Sequence, residues 1–344
     1  MGKKMIKLLF LIFLISFAGQ SYGRDISVMA YNVENLFDTK DDSVKSDETF
    51  LPVVNKNGGK KCKGIRSKWR KKECEELNWD SKTLDKKMRQ IASVILSYNS
   101  GKGADILILE EIENLTVLKE LNEKYLKKAG YVTAELLEGP DVRGIDTAVL
   151  SRFKVKSPSK LHDVIWKLAS PAPKRPTRSI LEVTLDLGND ESASVFAVHF
   201  PSPSHKIEER MDAFRALNIA SEKSSSDLIV AGGDFNVTAN EDSRLYRALA
   251  SKTWDVSHLK GCDFCIGTNY YKPYGKPNQQ DSWSFLDAIL IHKNSKFKFL
   301  PESIEVWNTF KGVAEGKENK PSRFVPETGT GFSDHFPIAA KVKK

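Results

Sequence analysis

Eight polar residues stand at the ends of apolar, strand-like runs: Asn32, Glu111, His199, Asp234, Asn236, Asp287, Asp334 and His335. The densest stretch is Leu228-Ile229-Val230-Ala231-Gly232-Gly233-Asp234-Phe235-Asn236, where an apolar run stops at two glycines before an acid and an amide two residues apart. Residues i and i+2 leave a strand on the same side. Asp234 and Asn236 should therefore project together, where the glycines let backbone or ligand come close. An acidic acceptor beside an amide suits a hydrated metal, a phosphate or an attacking water. An Asx-rich turn closing a buried strand would use the same two residues, but a turn alone does not account for the other six. Two histidines, several carboxylates and two asparagines suffice for metal-assisted phosphodiester hydrolysis. The scissile phosphate is already anionic, so attack by hydroxide needs a cation to offset the developing charge. Hard oxygen ligands such as Glu111 select magnesium, manganese or calcium over zinc. A histidine bonded to a carboxylate is a general base near neutral pH, and Asp334-His335 offers both residue types.

These residues need strands to carry them. Residues 25–30 alternate polar and apolar as a half-buried strand does, and they run into Tyr31-Asn32-Val33. Short strands are expected at 105–109, 131–137, 145–150, 180–186, 194–199 and 284–292. Leu84, Met88, Ile91, Ile95 and Leu96 recur at helical spacing, predicting a helix to about residue 98. Further helices are expected at 115–128 and 208–223, and residues 38–78 read as a polar loop or insertion. Strands outnumber helices, helices return between strands, and no repeat or linker divides the chain. The expectation is one α+β or α/β domain over 24–344 with packed sheets.

Lys3, Lys4 and Lys7 precede the apolar run 8–15, and Ser21-Tyr22-Gly23 supplies small residues before a cut. This predicts a signal peptide over 1–23 and an exported protein, secreted or periplasmic. The run is too short to span a bilayer, and no stable membrane insertion is expected. Loss of those three lysines reduces the formal charge from +8 to +5. Nine basic residues and no acid lie between Lys56 and Lys72 (Lys56, Lys60, Lys61, Lys63, Arg66, Lys68, Arg70, Lys71 and Lys72). Such a run is a solvated loop or a contact for a polyanion backbone. The four cysteines fall in two local pairs, Cys62/Cys74 and Cys262/Cys265. Local bridges are the economical pairing in an oxidising compartment. Crossed bridges remain open, and a four-thiolate zinc site would need reduced cysteines.

The ordered set Tyr31-Asn32-Val33, Leu109-Glu110-Glu111, Val198-His199, Gly233-Asp234-Phe235-Asn236, Leu286-Asp287 and Ser333-Asp334-His335-Phe336-Pro337 resembles the endonuclease/exonuclease/phosphatase superfamily, whose prototype is pancreatic-type deoxyribonuclease. The motifs agree in order over roughly residues 25 to 340. The resemblance implies a four-layered α/β sandwich, two mixed sheets face to face with helices outside. It implies Glu111 as principal metal carboxylate, with Asn32 and Asp334 near metal or phosphate. It implies Asp234 orienting the water, Asn236 holding the phosphate, and His335 as general base paired with Asp334 or Asp287. His199 would polarise the phosphate or protonate the leaving oxygen. Glu110 stands where the family often has glutamine, so which glutamate binds metal stays open. Magnesium is the implied cofactor, with manganese or calcium as alternatives, and a monomer is the default.

Arg143 has two readings: a phosphate clamp through its planar fork, or a turn arginine paired with Asp141 or Asp146. Arg178 reads as a strand or surface residue, and His162, His205, His258 and His292 as structural. The substrate expected is nucleic acid, DNA above RNA, cut by a non-specific endonuclease. The alternative is a phospholipid head group, as for a sphingomyelinase, for which Tyr270-Tyr271-Lys272-Pro273-Tyr274 is the nearest candidate apolar hairpin. A non-catalytic binding module would show gaps in the polar set, and there are none.

Overall fold

In the first strand, β1 (Ile26–Leu36), Val28 and Ala30 face one apolar cluster while Met29, Tyr31 and Val33 face another. A strand apolar on both sides must be covered on both sides, and this dictates the layering. The computed structural model describes residues 24–272 and 282–344. The expected leader (1–23) and Pro273-Tyr274 of the aromatic stretch lie outside the described residues.

The strands that follow are β2 (Ile106–Ile112), β3 (Thr133–Glu135), β4 (Asp146–Ser151), β5 (Lys154–His162), β6 (Ile180–Gly188), β7 (Glu191–His199) and β8 (Leu228–Asp234). After them come β9 (Trp254–Val256), β10 (Asn269–Tyr271), β11 (Ser282–Ser284), β12 (Asp287–His292), β13 (Lys298–Phe299) and β14 (Glu305–Val306). The last are β15 (Ala314–Glu315), β16 (Lys320–Pro321) and β17 (Ile338–Lys343). The helices are α1 (Lys68–Glu76), α2 (Ser81–Ser97), α3 (Leu115–Tyr125), α4 (Ile207–Ser221) and the short α5 (Ser257–Lys260).

One sheet runs β13-β17-β1-β2-β4-β3, with β14 also on β17; the other runs β5-β6-β7-β8-β12-β9. Both are mixed: β1–β2 and β7–β8 are parallel among antiparallel neighbours. Val28, Ala30, Ile106 and Ile108 of the first sheet meet Val195, Ala197, Val230 and Ile289 of the second. Helices α2 and α3 cover the outer face of the first sheet, and α4 covers that of the second. The arrangement is the expected four-layered sandwich.

Local sequence explains the helix starts. Asp80 and Asn114 accept the N–H groups of Thr83 and Val117, capping α2 and α3. Residues 38–78 differ from the loop expected. They contain short 3₁₀ turns and helix α1, which the Cys62–Cys74 disulfide ties back to the turn at Lys61–Gly64. Helix α1 has one buried residue, Cys74, so it carries no apolar periodicity to betray it. Strand β5 was also unforeseen, since its side chains alternate between exposed and half-buried at a sheet edge. Both disulfides are local, Cys62–Cys74 and Cys262–Cys265.

The two glycines of β8 allow the sheets to approach. A Cβ on Gly232 would come within 2.7 Å of Ile108 Cδ1 across the core. At Gly233, φ is +134°, and a Cβ would lie 2.1 Å from the Val198 carbonyl oxygen and 2.8 Å from Glu110 Oε1. Gly233→Ala is expected to destabilise the protein by on the order of 3 kcal/mol, through a backbone clash that no side-chain movement relieves. Urea unfolding checks this; an unchanged midpoint would contradict the packing described.

Candidate active site

Strand register assembles the site. Asp234 ends β8 with His199 of β7 beside it on one flank and Asp287 of β12 directly opposite on the other. On the facing sheet, Asn32 of β1 pairs in register with Glu110 of β2. The Asn32 amide donates to Asp234 Oδ2 at 3.2 Å, joining the two sheets. His199 Nε2 lies 3.4 Å from the same oxygen. Asp234 Oδ1 accepts the Asn236 backbone N–H at 2.8 Å, and the Asn236 amide donates to the Phe200 carbonyl at 3.0 Å. Asn236 adopts φ +54°, a conformation asparagine tolerates better than most residues.

His335 arrives on the segment before β17. Its Nδ1 is 2.7 Å from Asp287 Oδ2, while its Nε2 is 3.9 Å from Asp334 Oδ1. Of the two carboxylates expected as its partner, Asp287 makes the hydrogen bond. The Ser333 hydroxyl donates to the Asn32 carbonyl and accepts the His335 N–H. The Asn269 amide donates to the Asp334 carbonyl, so β10 braces this segment from the other side.

Glu111 sits at a bulge where β2 slips register against both neighbours, with φ +65°. The bulge separates two adjacent glutamates. Glu111 is half-buried and accepts the Asn35 N–H at 3.0 Å. Glu110 is wholly buried, and neither of its carboxyl oxygens has a partner. Burial, with Asp287 and Asp234 adding to it, pushes the Glu110 carboxyl well above its usual range. Burial and the Asp287 charge likewise raise Asp234 to about 7. For His335, burial favours the neutral ring, but Asp287 outweighs it and proton affinity rises well above the ordinary value. His199 goes the other way: burial, then Arg178 and Arg143, hold it neutral.

Of the expected cation ligands Asn32, Glu111 and Asp334, Asn32 bonds Asp234 and so adjoins a second group of possible ligands. The ligand atoms of Asp234, Asp287 and His335 lie within 4.8 Å of one another. Glu111 and Asp334 belong to an outer group with Glu34, and all three act on Lys87 and Arg323. Asp287 Oδ1 is buried without a partner, as are both Glu110 oxygens. Unpaired hard oxygens among close carboxylates fit a hard divalent cation, which would relieve their mutual repulsion.

Other candidates fall into place. Arg143 lies 3.7 Å from Asp141 Oδ1 with its side chain half-exposed, so the turn pairing is present while its charge still reaches His199. His162 and His258 pair with Glu182 and Asp242, and the His292 ring accepts the Asn294 N–H. Sequence reasoning missed four charged residues. Buried Arg178 donates to the carbonyls of His199 and Phe200 and to Asp141 Oδ2, holding the end of β7. Buried Lys87 donates to the Phe332 carbonyl at 2.8 Å. Arg323 lies 2.6 Å from Glu34 Oε1 and 3.7 Å from Asp334 Oδ2. A signal for Lys87 existed, since it occupies a core position in the Leu84-Met88-Ile91 stripe of α2. None existed for Arg178 or for the Glu34–Arg323 pair, which joins residues 289 apart.

Comparison with known proteins follows the same geometry. The sequence profile of the Endonuclease/Exonuclease/phosphatase family matches residues 27–344. No curated protein sequence matches. An endonuclease/exonuclease/phosphatase structure from Beutenbergia cavernae is similar at TM-score 0.55 and 16% identity, over 93% of this chain and 72% of that one. A family protein from Bacteroides thetaiotaomicron is similar at 0.55 and 17%, over 93% and 98%. D. rerio TDP2, solved with a single-strand DNA product, is similar at 0.53 and 14%, over 93% and 99%. At these identities the structures share the fold.

Arg178→Met should destabilise the protein by roughly 3–5 kcal/mol, because Asp141 loses its buried partner, keeping only Arg143, and the His199 and Phe200 carbonyls lose their donor. Arg178→Met combined with Asp141→Leu should recover part of that loss. Equal unfolding midpoints for the single variant and the parent would refute the positioning role.

Proposed function

The chain belongs to the endonuclease/exonuclease/phosphatase family, and from that membership we propose that it is an exported, magnesium-dependent phosphodiesterase that cleaves DNA with little sequence preference. At the level of the family it is a phosphoester hydrolase. The observation that carries the finer proposal is the buried His335–Asp287 pair, set against Asp234 with Asn32, Asn236 and His199 around it.

Asp287 fixes the imidazole through Nδ1 and leaves Nε2 to take a proton from water. Its charge stabilises the imidazolium that forms when the neutral ring takes that proton. Asp234 accepts from the attacking water and is itself held by Asn32 and Asn236. Neutral His199 stands beside Asp234 to hydrogen-bond a phosphate or leaving oxygen. Asn236 and Arg143 would steady the phosphate. Glu111 and Asp334, with Asn32, would hold magnesium (manganese or calcium in its place), with Asp234 and Asp287 available on the inner side. The cation supplies Lewis-acid stabilisation of charge on the phosphate.

Export rests on the leader pattern of residues 1–23, and two disulfides suit an oxidising compartment. One observation favours a phospholipid head group instead: Phe264 is fully exposed on the Cys262–Cys265 turn, near half-exposed Ile266.

Purified protein incubated with plasmid DNA, RNA and sphingomyelin vesicles distinguishes these substrates. Magnesium-dependent plasmid cleavage, abolished by chelator, is expected. His335→Ala and Glu111→Ala should each reduce it by about a thousandfold or more. Lipid turnover without DNA cleavage would overturn the substrate assignment, and undiminished activity in either variant would overturn the mechanism.

A further inference from the structure

The phosphoesterase chemistry makes no use of the stapled basic segment, yet that segment is held firmly. Helix α1 is nine residues long and begins Lys68-Trp69-Arg70-Lys71-Lys72, placing cations at the helix end where they are least favourable. A Ser67 cap and the Lys71–Glu75 and Lys72–Glu76 pairs offset this only in part. The Cys62–Cys74 bridge fastens it, and buried Lys56 donates to the carbonyls of Thr49, Cys74 and Leu77 at 2.8, 2.7 and 2.6 Å. On this rigid mount Trp69 is 69% exposed. Tryptophan has the largest apolar surface of any side chain and is seldom left in water. Its exposed neighbours are Arg66, Lys68 and Arg70, none of which is in an ion pair.

The C-terminal end of α1 lies beside residues that reach the outer carboxylates of the site. Glu73 lies one helical turn from Trp69, on the same side of α1. Partial burial raises its carboxyl, opposed by the charges of Arg323, Arg70 and Lys56. Arg323 in turn contacts Glu34 and approaches Asp334. Its neighbour Phe324 packs edge-on against Trp79, at 6.1 Å, just beyond the end of α1.

We propose that the outer face of α1, with Trp69 flanked by Arg66, Lys68 and Arg70, is a stacking platform for single-stranded nucleic acid running from the cleavage site. This rests on the nucleic-acid reading of that site. An indole accepts any base face and so adds affinity without sequence preference, while the flanking cations follow the phosphates. A lipid surface fits the face less well, since one indole among charged side chains lacks the apolar stripe of an interfacial helix.

The test measures fluorescence anisotropy of a labelled oligothymidine with the cleavage-deficient His335→Ala protein, alone and combined with Trp69→Ala or Trp69→Phe. Turnover of bis-p-nitrophenyl phosphate by the parent and by the Trp69 variants is followed in parallel. Trp69→Ala should weaken oligonucleotide binding roughly tenfold and Trp69→Phe much less, with small-diester turnover unchanged. Arg66→Ala and Arg70→Ala should each lower the salt dependence of binding by about one unit of slope. If the parent cleaves and binds DNA but Trp69→Ala binds equally well, the platform is refuted and the nuclease assignment stands. If the parent neither binds nor cleaves DNA while hydrolysing the small diester, both fall. Trp69-dependent binding to phosphatidylglycerol vesicles without Trp69-dependent oligonucleotide binding would make the face a membrane contact and overturn the proposal.

Discussion

Asp234 and Asp287 face each other across adjacent antiparallel strands, both buried, and like charges in that position repel. Much of the surrounding structure answers this constraint. His335 bonds one oxygen of Asp287, while Asn32 and the Asn236 backbone bond the two oxygens of Asp234. Burial and these two acids hold the Glu110 carboxyl well above its usual range, with His335 opposing them. The bare backbone of Gly233 lets that carboxyl sit so close. Repulsion left over in the row is what a divalent cation would relieve, so the feature that costs stability is also the one that recruits the chemistry.

A second ring of charge holds this inner row in place. Arg178 fixes the end of β7, and with it His199, through two backbone carbonyls. Lys87 reaches from α2 to the Phe332 carbonyl, just ahead of Asp334-His335. Burial lowers Lys87 to about 8, opposed by Glu34, Asp334 and Glu111. The outer carboxylates thus share one buried ammonium and one accessible guanidinium, Arg323. Rigid elements hold the inner residues, whereas the outer ones lie on a bulge and a loop, where a phosphate and its cation can be admitted.

The insertion at 38–78 obeys different physics. It has little core of its own, and a disulfide and a buried lysine replace the apolar contacts that hold the sandwich together. Its surface is therefore free to carry charge and an aromatic side chain, at little cost to the main fold.

Sequence alone determined a domain of packed sheets with helices between strands, and marked polar residues at strand ends; the four layers came only with the family resemblance. The apolar run of β8 and the helical stripe of α2 are local patterns, set by which side chains must leave water, whereas β1, expected to be half-buried, is covered on both faces by the second sheet and the helices. Polar residues that interrupt such runs at strand ends announce themselves, as Asn32, His199, Asp234, Asp287 and His335 did. Tertiary structure alone decided how they pair. That Asp287 rather than Asp334 bonds His335 follows from the register of β12 on β8, and a one-residue slip would have turned the side chain away. A bulge made Glu111 and not Glu110 the accessible glutamate, and nothing in two adjacent identical residues marks that choice. Arg178, Lys87 and Arg323 act through carbonyls and carboxylates distant along the chain. Such roles arise from contacts between segments, which neither residue type nor spacing encodes.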